Sequence, residues 1–152
     1  MLKIDIICVA RVKKGPYYDL IEDYTKRLKW KLNIIEVESK LSDAKKCQAE
    51  EAEKIQKHLD SNAILIALDE RGDGLKSLDF AKTIQNFTNN GESHLQFVIG
   101  GADGLTDDVR DKATFLLSFG QQTWPHLLAR VMLLEQIYRA QQILAGHPYH
   151  RE

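Results

Sequence analysis

"AILIALDE" (63–70) is the most uniformly apolar short run in this sequence, and two acidic residues end it. A run of this length without polar alternation is typical of a strand buried on both faces, as strands of parallel sheets are. Four further runs have the same character. We predict strands there too: "LKIDIICVA" (2–10), "LNIIEVE" (32–38), "HLQFVIGG" (94–101) and "FLLSFG" (115–120).

Helix-forming segments alternate with these strands. Composition and helical spacing of apolar residues predict helices over 17–30, 43–59, 77–87, 106–113 and 126–146. We expect N-caps at Ser42 or Asp43, at Ser77 and at Thr106, and a helix end at Gly146. This alternation predicts an α/β fold, with a mainly parallel sheet and flanking helices.

Length and composition limit the class of protein. The 152 residues fit a single domain, 1–152, that can bury a core without disulfides. No stretch approaches the ~20 apolar residues of a membrane span, and the N-terminus lacks signal-peptide features. Cys8 and Cys47 lie in dissimilar settings without metal-ligand spacing, which is typical of reduced thiols. We therefore expect a cytoplasmic protein with no metal and no membrane partner.

The net charge of −1 conceals an uneven distribution. Residues 1–31 carry eight Lys or Arg and four Asp or Glu, whereas residues 32–120 carry ten and sixteen. Residues 121–152 hold three of the five histidines. Because a general nucleic-acid binder is usually basic overall, a nucleic-acid partner would have to meet a local patch. The alternative is that the charged faces are only solvated.

Three loop-forming stretches directly follow predicted strands: "LDERGDG" (68–74), "IGGADGL" (99–105) and "SFGQQTWPH" (118–126). Ligands of open α/β sheets bind beyond the carboxyl ends of the strands, so these loops are the expected ligand site. The glycines of 99–105 either permit close approach of a ligand or chain segment, or form a tight turn. Their G-G-x-x-G pattern is neither a dinucleotide fingerprint nor a P-loop.

The loop 118–126 must be irregular, because Pro125 disfavours helical backbone at Trp124. We expect Pro125 in the first turn of the last helix, with Thr123 or a neighbour as its cap. The free main-chain groups of such a loop suit the edge of a purine ring. An ordinary strand-to-helix connection is the alternative interpretation.

The last helix and the tail "HPYHRE" (147–152) form the other candidate region. Glu135 and Arg139 interrupt an apolar stripe and are spaced as an i, i+4 ion pair. In the tail, Tyr149 can stack on a base, His150 can exchange protons near neutral pH, and Arg151 can contact phosphate. A disordered chain end is the alternative.

Taken together, "FVIGGADGL", "TWPHLLARVMLLEQIYRA" and "HPYHRE" resemble the ribosomal RNA large subunit methyltransferase H family, of the SPOUT class. The resemblance extends over essentially the whole chain. It implies S-adenosylmethionine as cofactor, a SPOUT-type sheet with a C-terminal trefoil knot, and a homodimer. It also implies methylation of N3 of a pseudouridine in 23S ribosomal RNA, with the assembled 70S ribosome as substrate.

The resemblance also assigns roles to residues. For cofactor binding they are Leu68, Gly101, Gly120, Gln121, Gln122, Thr123, Trp124 and Pro125. For the RNA side they are Glu135, Arg139, Tyr149, His150 and Arg151. As a hypothesis, His150 removes the N3 proton, Arg139 stabilises negative charge on a carbonyl oxygen, and Tyr149 stacks on the ring. The rival hypothesis is a non-catalytic nucleotide- or RNA-binding α/β module.

Overall fold

The computed structural model describes residues 1–151. It contains all ten predicted elements, with these bounds: β1 Lys3–Val9, α1 Pro16–Arg27, β2 Lys31–Val37, α2 Ala44–Gln56, β3 Ile64–Gly74, α3 Ser77–Asn89, β4 His94–Ile99, α4 Asp107–Lys112, β5 Phe115–Ser118 and α5 His126–Leu144. The strands form one sheet in the order β2-β1-β4-β3-β5, and every neighbouring pair is parallel. The predicted α/β fold with a parallel sheet is therefore confirmed.

Both faces of the sheet are covered, which explains why its strands are so apolar. On one face Ile4, Ile6 and Phe97 pack with side chains of α1, α3 and α5. On the other face Ile7 and Val98 pack with α2 and α4. Successive side chains of a strand point to opposite faces, so each strand supplies both cores. The threading of the C-terminal segment through a knot stays a prediction.

Helix ends differ from the prediction at several places, and three of these differences involve α5. α1 ends at Arg27 instead of residue 30, because the Oε1 atom of Gln141 accepts hydrogen bonds from the main-chain N–H groups of Lys29 and Trp30. Ser77 is the first residue of α3 and not its N-cap, and its hydroxyl donates to Gln136 Oε1 over 2.7 Å. Asp43, in contrast, caps α2 as expected, through the N–H of Lys46.

The third difference concerns α5. Pro125 precedes the helix as its N-cap, with an extended ψ of 136°, and no side chain caps this end. The expectations that Pro125 lies in the first turn and that Thr123 caps the helix are therefore wrong. At the other end Gly146 has a φ of +73°, as a helix-terminating glycine requires, and this prediction is confirmed.

β3 is longer than predicted and contains an irregularity. Both Leu68 and Asp73 pair with Leu117 of β5, so the residues between them form a bulge within the strand. Gly72 in this bulge lies against β5, where a Cβ atom would come within 2.5 Å of the Leu116 main chain. The first of the three predicted loops is therefore a bulge within β3. Gly72 lets this bulge lie close to the main chain of β5.

Within residues 1–151 no helix is both long and apolar enough to cross a lipid bilayer. The same part of the chain contains no group of three or more His, Cys, Asp or Glu residues arranged to hold a metal ion.

Candidate active site

A cleft of about 740 Å³ lies at the carboxyl ends of β3, β4 and β5. All three predicted loops contribute to its lining, and the first turn of α5 closes one side through His126 and Ala129. Seven of the eight residues predicted for cofactor binding line this cleft: Leu68, Gly101, Gly120, Gln122, Thr123, Trp124 and Pro125. Gln121, the eighth, is exposed and lies outside the lining.

The glycine segment combines close approach with a tight turn. The Gly104 N–H donates to the Gly101 carbonyl over 3.0 Å, and Gly104 has a φ of +76°. A Cβ atom at Gly100 would come within 2.8 Å of the Gly104 main chain. At Gly101 it would come within 2.9 Å of Val9 and 3.2 Å of the Glu51 carboxylate. The segment is thus packed against protein on one side and faces the cleft on the other.

Side chains from outside the predicted loops hold the glycine segment. Gln48 of α2 donates from Nε2 to the main-chain carbonyl of Asp103 over 2.9 Å. Arg110 of α4 donates to the carbonyl of Leu105, and its Nη1 lies 3.6 Å from Asp69 in the bulge of β3. Both Gln48 and Arg110 also line the cleft. Sequence reasoning missed them, because their own segments carry no motif and only the packing of helices brings them to the glycines.

The third loop is stabilised locally. Gly120 has a φ of +113°, and its N–H donates to the hydroxyl of Ser118 over 3.0 Å. The indole N–H of Trp124 donates to the Phe119 carbonyl over 3.2 Å, while 39% of Trp124 stays exposed. His126 follows, and burial, with the charge of Arg130, lowers the pKa of its imidazole. This side of the cleft therefore offers an aromatic ring and a neutral imidazole.

The tail packs onto α5 in a group that we call the tail cluster: Glu135, Arg139, Tyr149 and His150. Arg139 Nε donates to Glu135 Oε1 over 2.9 Å, which is the predicted i, i+4 pair. Tyr149 Oη donates to Glu135 Oε2 over 2.6 Å, and Arg139 Nη1 lies 3.1 Å from His150 Nδ1. The tail is thus ordered by specific contacts, and the alternative of a disordered end does not hold for residues 147–151.

Packing changes the proton affinity of this cluster. The Arg139 guanidinium lies 4.8 Å from the centre of the Tyr149 ring, and the Tyr138 ring meets that ring edge-on at 4.9 Å. Burial, followed by the Glu135 carboxylate, raises the pKa of Tyr149 to about 12. Its phenol is therefore protonated at neutral pH. Hydrogen bonding to Glu135 raises the pKa of Arg139 further above its ordinary value.

Within the described chain the tail cluster and the cleft do not share a cavity. None of the four cluster residues lines the cleft. Glu135 instead lines a smaller cavity of about 400 Å³, which shares Leu117, Phe119 and Gly120 with the cleft. Arg151, predicted for the same site, is exposed at the end of the described chain. The structure thus gathers most residues of each predicted set, but in two separate places.

The buried thiol of Cys8 belongs neither to the cleft nor to the tail cluster. Cys8 is 1% exposed within β1, and burial raises its pKa to about 12. A thiol of this kind is almost entirely protonated at neutral pH and lacks nucleophilic character. This agrees with the structural role that its position in a strand indicates.

Comparison with known proteins agrees with this architecture. A family model described as "Predicted SPOUT methyltransferase" matches residues 2–150. The ribosomal RNA large subunit methyltransferase H of Rhodospirillum centenum is 47% identical over 155 residues, covering 99% of both chains. The protein of that name from Zymomonas mobilis is 42% identical over 151 residues, again covering 99% of both.

Among solved structures, that of a probable methylase family protein from Haemophilus influenzae Rd KW20 matches with a TM-score of 0.60. The alignment covers 98% of this chain and 70% of that chain, at 15% identity, so it supports the fold alone. The family match and the relatives at 42–47% identity also show the family. The chain belongs to the SPOUT methyltransferase family and is grouped there with the ribosomal RNA large subunit methyltransferases H.

Proposed function

We propose that this protein transfers the methyl group of S-adenosylmethionine to N3 of a pseudouridine in 23S ribosomal RNA, within the assembled 70S ribosome. The names of the full-length relatives support methylation of large-subunit ribosomal RNA. The observation that carries the proposal is the cleft itself, where a bulge, a glycine turn and an irregular loop meet at the ends of three parallel strands.

The cleft suits a cofactor of this kind. Its volume of about 740 Å³ falls within the roughly 300–1,000 Å³ of small-molecule sites. Main chain that carries no side chain at Gly101 and Gly120 would let an adenosyl group approach closely, and Trp124 offers a partly exposed ring. Leu68, Gln122, Thr123 and Pro125 complete the proposed set. Gln121 is left out, because it does not line the cleft.

The bound cofactor would supply a methyl group on a sulfonium, a chemistry that requires no metal. The protein then has to orient the uracil-type ring and favour loss of its N3 proton. Arg139 would stabilise the negative charge that develops on a ring carbonyl oxygen. Tyr149, protonated and held by Glu135, would position the ring by stacking, and exposed Arg151 would contact a phosphate.

The contact with Arg139 supports a second candidate role for His150. Because a guanidinium only donates, Nδ1 of His150 must accept the hydrogen bond from Arg139. A neutral imidazole that accepts at Nδ1 carries its proton on Nε2. In this arrangement His150 is a hydrogen-bond donor, and we propose that it joins Arg139 in stabilising ring charge. Acting as the base, as the sequence suggests, would require His150 to leave Arg139.

We further propose a homodimer in which the tail cluster of one subunit faces the cleft of the other. The supporting observation is that none of the four cluster residues lines the cleft of its own chain. Mixed dimers test this. Thr123→Trp would fill the cleft from an exposed loop position, and Arg139→Ala would disable the cluster. Co-expression of these two inactive variants restores activity if the site is shared between subunits, and leaves none if each site is built within one chain.

The central experiment is methyl transfer from labelled S-adenosylmethionine to unmodified 70S ribosomes, isolated subunits and naked 23S RNA. Label on a pseudouridine with 70S ribosomes alone supports the whole proposal. Label on naked RNA refutes the requirement for the assembled ribosome. Cofactor binding by calorimetry without transfer to any of these substrates refutes the proposed target.

A further inference from the structure

We propose that the loop 10–15, here called the basic loop, contacts the phosphate backbone of the ribosomal RNA beside the cleft. This inference rests on the proposed function and names a surface through which its substrate is held. The basic loop connects β1 to α1 and carries Arg11, Lys13 and Lys14.

The basic loop lies at the carboxyl ends of the strands, as the cleft does. β1 pairs in parallel with β4, with Cys8 opposite Ile99, so the chain leaves both strands side by side. The Val9 side chain lies 2.9 Å from the position that a Cβ atom of Gly101 would take. The basic loop is therefore the direct neighbour of the glycine segment that lines the cleft.

The main chain of the basic loop is fixed from both sides. Ala10 has a φ of +87°, a conformation that non-glycine residues keep only where the surroundings impose it. Its N–H donates to the Val37 carbonyl over 2.8 Å, and its carbonyl accepts from Arg130 Nη2 over 3.0 Å. Two residues on, the Val12 N–H donates to Glu36 Oε2 over 2.8 Å.

An ion pair between buried Arg130 and partly exposed Glu36 supports this arrangement. Arg130 of α5 is 1% exposed and lies 2.7 Å from the same Glu36 oxygen. A buried guanidinium is costly unless it is paired, and here Nη1 donates to the carboxylate and Nη2 to the Ala10 carbonyl, while the buried Nε has no hydrogen-bond partner. The pair thus ties α5, β2 and the basic loop together. Since Glu36 is occupied in this way, it does not neutralise the cations of the loop.

The cations of the basic loop are consequently available to a partner. Arg11, Lys13 and Lys14 are all exposed. Arg11 makes a loose pair with Glu38 at 3.4 Å, and in residues 1–151 neither lysine has an ion-pair partner. Like charges held close together repel one another, and phosphate groups relieve that repulsion while releasing condensed counterions. Because the main chain is already ordered, binding would order only the side chains.

Another part of the surface near the cleft has the opposite charge. Exposed carboxylates of Asp103, Asp107 and Asp108 lie on the glycine turn and the start of α4. RNA would therefore approach from the side of the basic loop, since phosphates are repelled by the acidic side. This explains how a chain with a net charge of −1 can still bind RNA at one edge.

Binding of 70S ribosomes by co-sedimentation over a salt series tests this inference independently of catalysis. The variant is Lys13→Glu/Lys14→Glu. The matched control is Lys29→Glu/Lys31→Glu. It reverses the charge of two exposed lysines of the same basic N-terminal region, which lie at the amino ends of the strands, away from the cleft. We expect the first variant to bind about tenfold or more weakly, and its log K versus log salt slope to fall by ~0.7–0.9 for each lost phosphate contact.

Calorimetry with S-adenosylmethionine verifies that both variants keep a folded cleft. Lys13→Gln/Lys14→Gln should show an intermediate loss of binding, because it removes the charges without reversing them. The inference is overturned if Lys13→Glu/Lys14→Glu binds ribosomes as the control does, or if the wild-type protein does not bind ribosomes. Weaker binding of that variant, combined with no methyl transfer by the wild-type protein, would support the basic loop and refute the proposed activity.

Discussion

The cleft and the tail cluster are built in different ways. The cleft presents glycine main chain, and its shape depends on side chains such as Gln48 that hold the loops from outside. The tail cluster presents charged and aromatic side chains that bond to one another, as Arg139 does to Glu135 and His150. Substitutions in the cleft should therefore act mainly by disturbing the side chains that hold its loops in place. Substitutions in the tail cluster should act by removing the functional groups themselves.

The largest effect should come from the tail cluster. Arg139→Ala removes the proposed donor to the developing charge, so we expect kcat for methyl transfer to fall by about 10²–10³-fold. Affinity for S-adenosylmethionine should stay unchanged, because Arg139 does not line the cleft. Arg139→Lys serves as the control that retains charge without the bidentate pair to Glu135. Equal losses in cofactor affinity and kcat would contradict the separation of the two regions.

In the cleft, Gly100→Ala should have the next largest effect. The added methyl group would come within 2.8 Å of the Gly104 main chain, so the turn has to shift. We expect the free energy of unfolding to fall by about 1–3 kcal/mol and cofactor affinity to fall with it. Gly74→Ala is the matched control, because no atom lies within 4 Å of its added methyl group. Similar behaviour of these two variants in thermal melts would argue against a sterically restricted turn.

Gln48→Ala tests the support of the glycine turn from α2. It removes a hydrogen bond to the Asp103 carbonyl, which is worth about 0.5–1.5 kcal/mol. We expect cofactor affinity, measured by calorimetry, to fall by about 2–10-fold with kcat at saturation nearly unchanged. Gln85→Ala on α3, which bonds only within its own helix, provides the control. A fall in kcat without a change in affinity would place Gln48 in the chemistry instead.

Side chains of the third loop should matter less than its main chain. Gln121 is exposed and does not line the cleft, so Gln121→Ala should change cofactor affinity by less than about twofold. Gln122→Ala in the same loop is the comparison, because Gln122 does line the cleft. A large loss of affinity at Gln121 would show that the loop rearranges on binding.

The smallest effect concerns pH. Burial raises the pKa of Tyr149 from 10.0 to about 12, so the protonated phenol is favoured in the folded protein. The stability that this provides is present in full below pH 10 and is lost as the pH rises towards 12. In denaturant titrations, the wild-type protein should lose more stability over this range than Tyr149→Phe does. Parallel losses in both proteins would show that Tyr149 titrates normally.

Most of the fold was predictable from local pattern. Apolar runs such as 63–70 identified the strands, because a strand buried on both faces needs no polar alternation. Asp43 and Gly146 were correctly identified at helix ends, where capping chemistry is local. The errors at Ser77 and at the end of α1 arose where Gln136 and Gln141 of α5 supply the competing hydrogen bonds.

The candidate site divides in the same way. The amino-acid pattern was sufficient to locate the three loops at the ends of strands and the polar residues of the tail, because each depends on neighbours close in the chain. Gln48, which is 55 residues from Asp103, and Arg130, which is 94 residues from Glu36, had no such signal. Only tertiary packing brings these pairs together, and only tertiary packing keeps the tail cluster out of the cleft. The reason is that distances between elements depend on strand order and helix packing and not on local spacing.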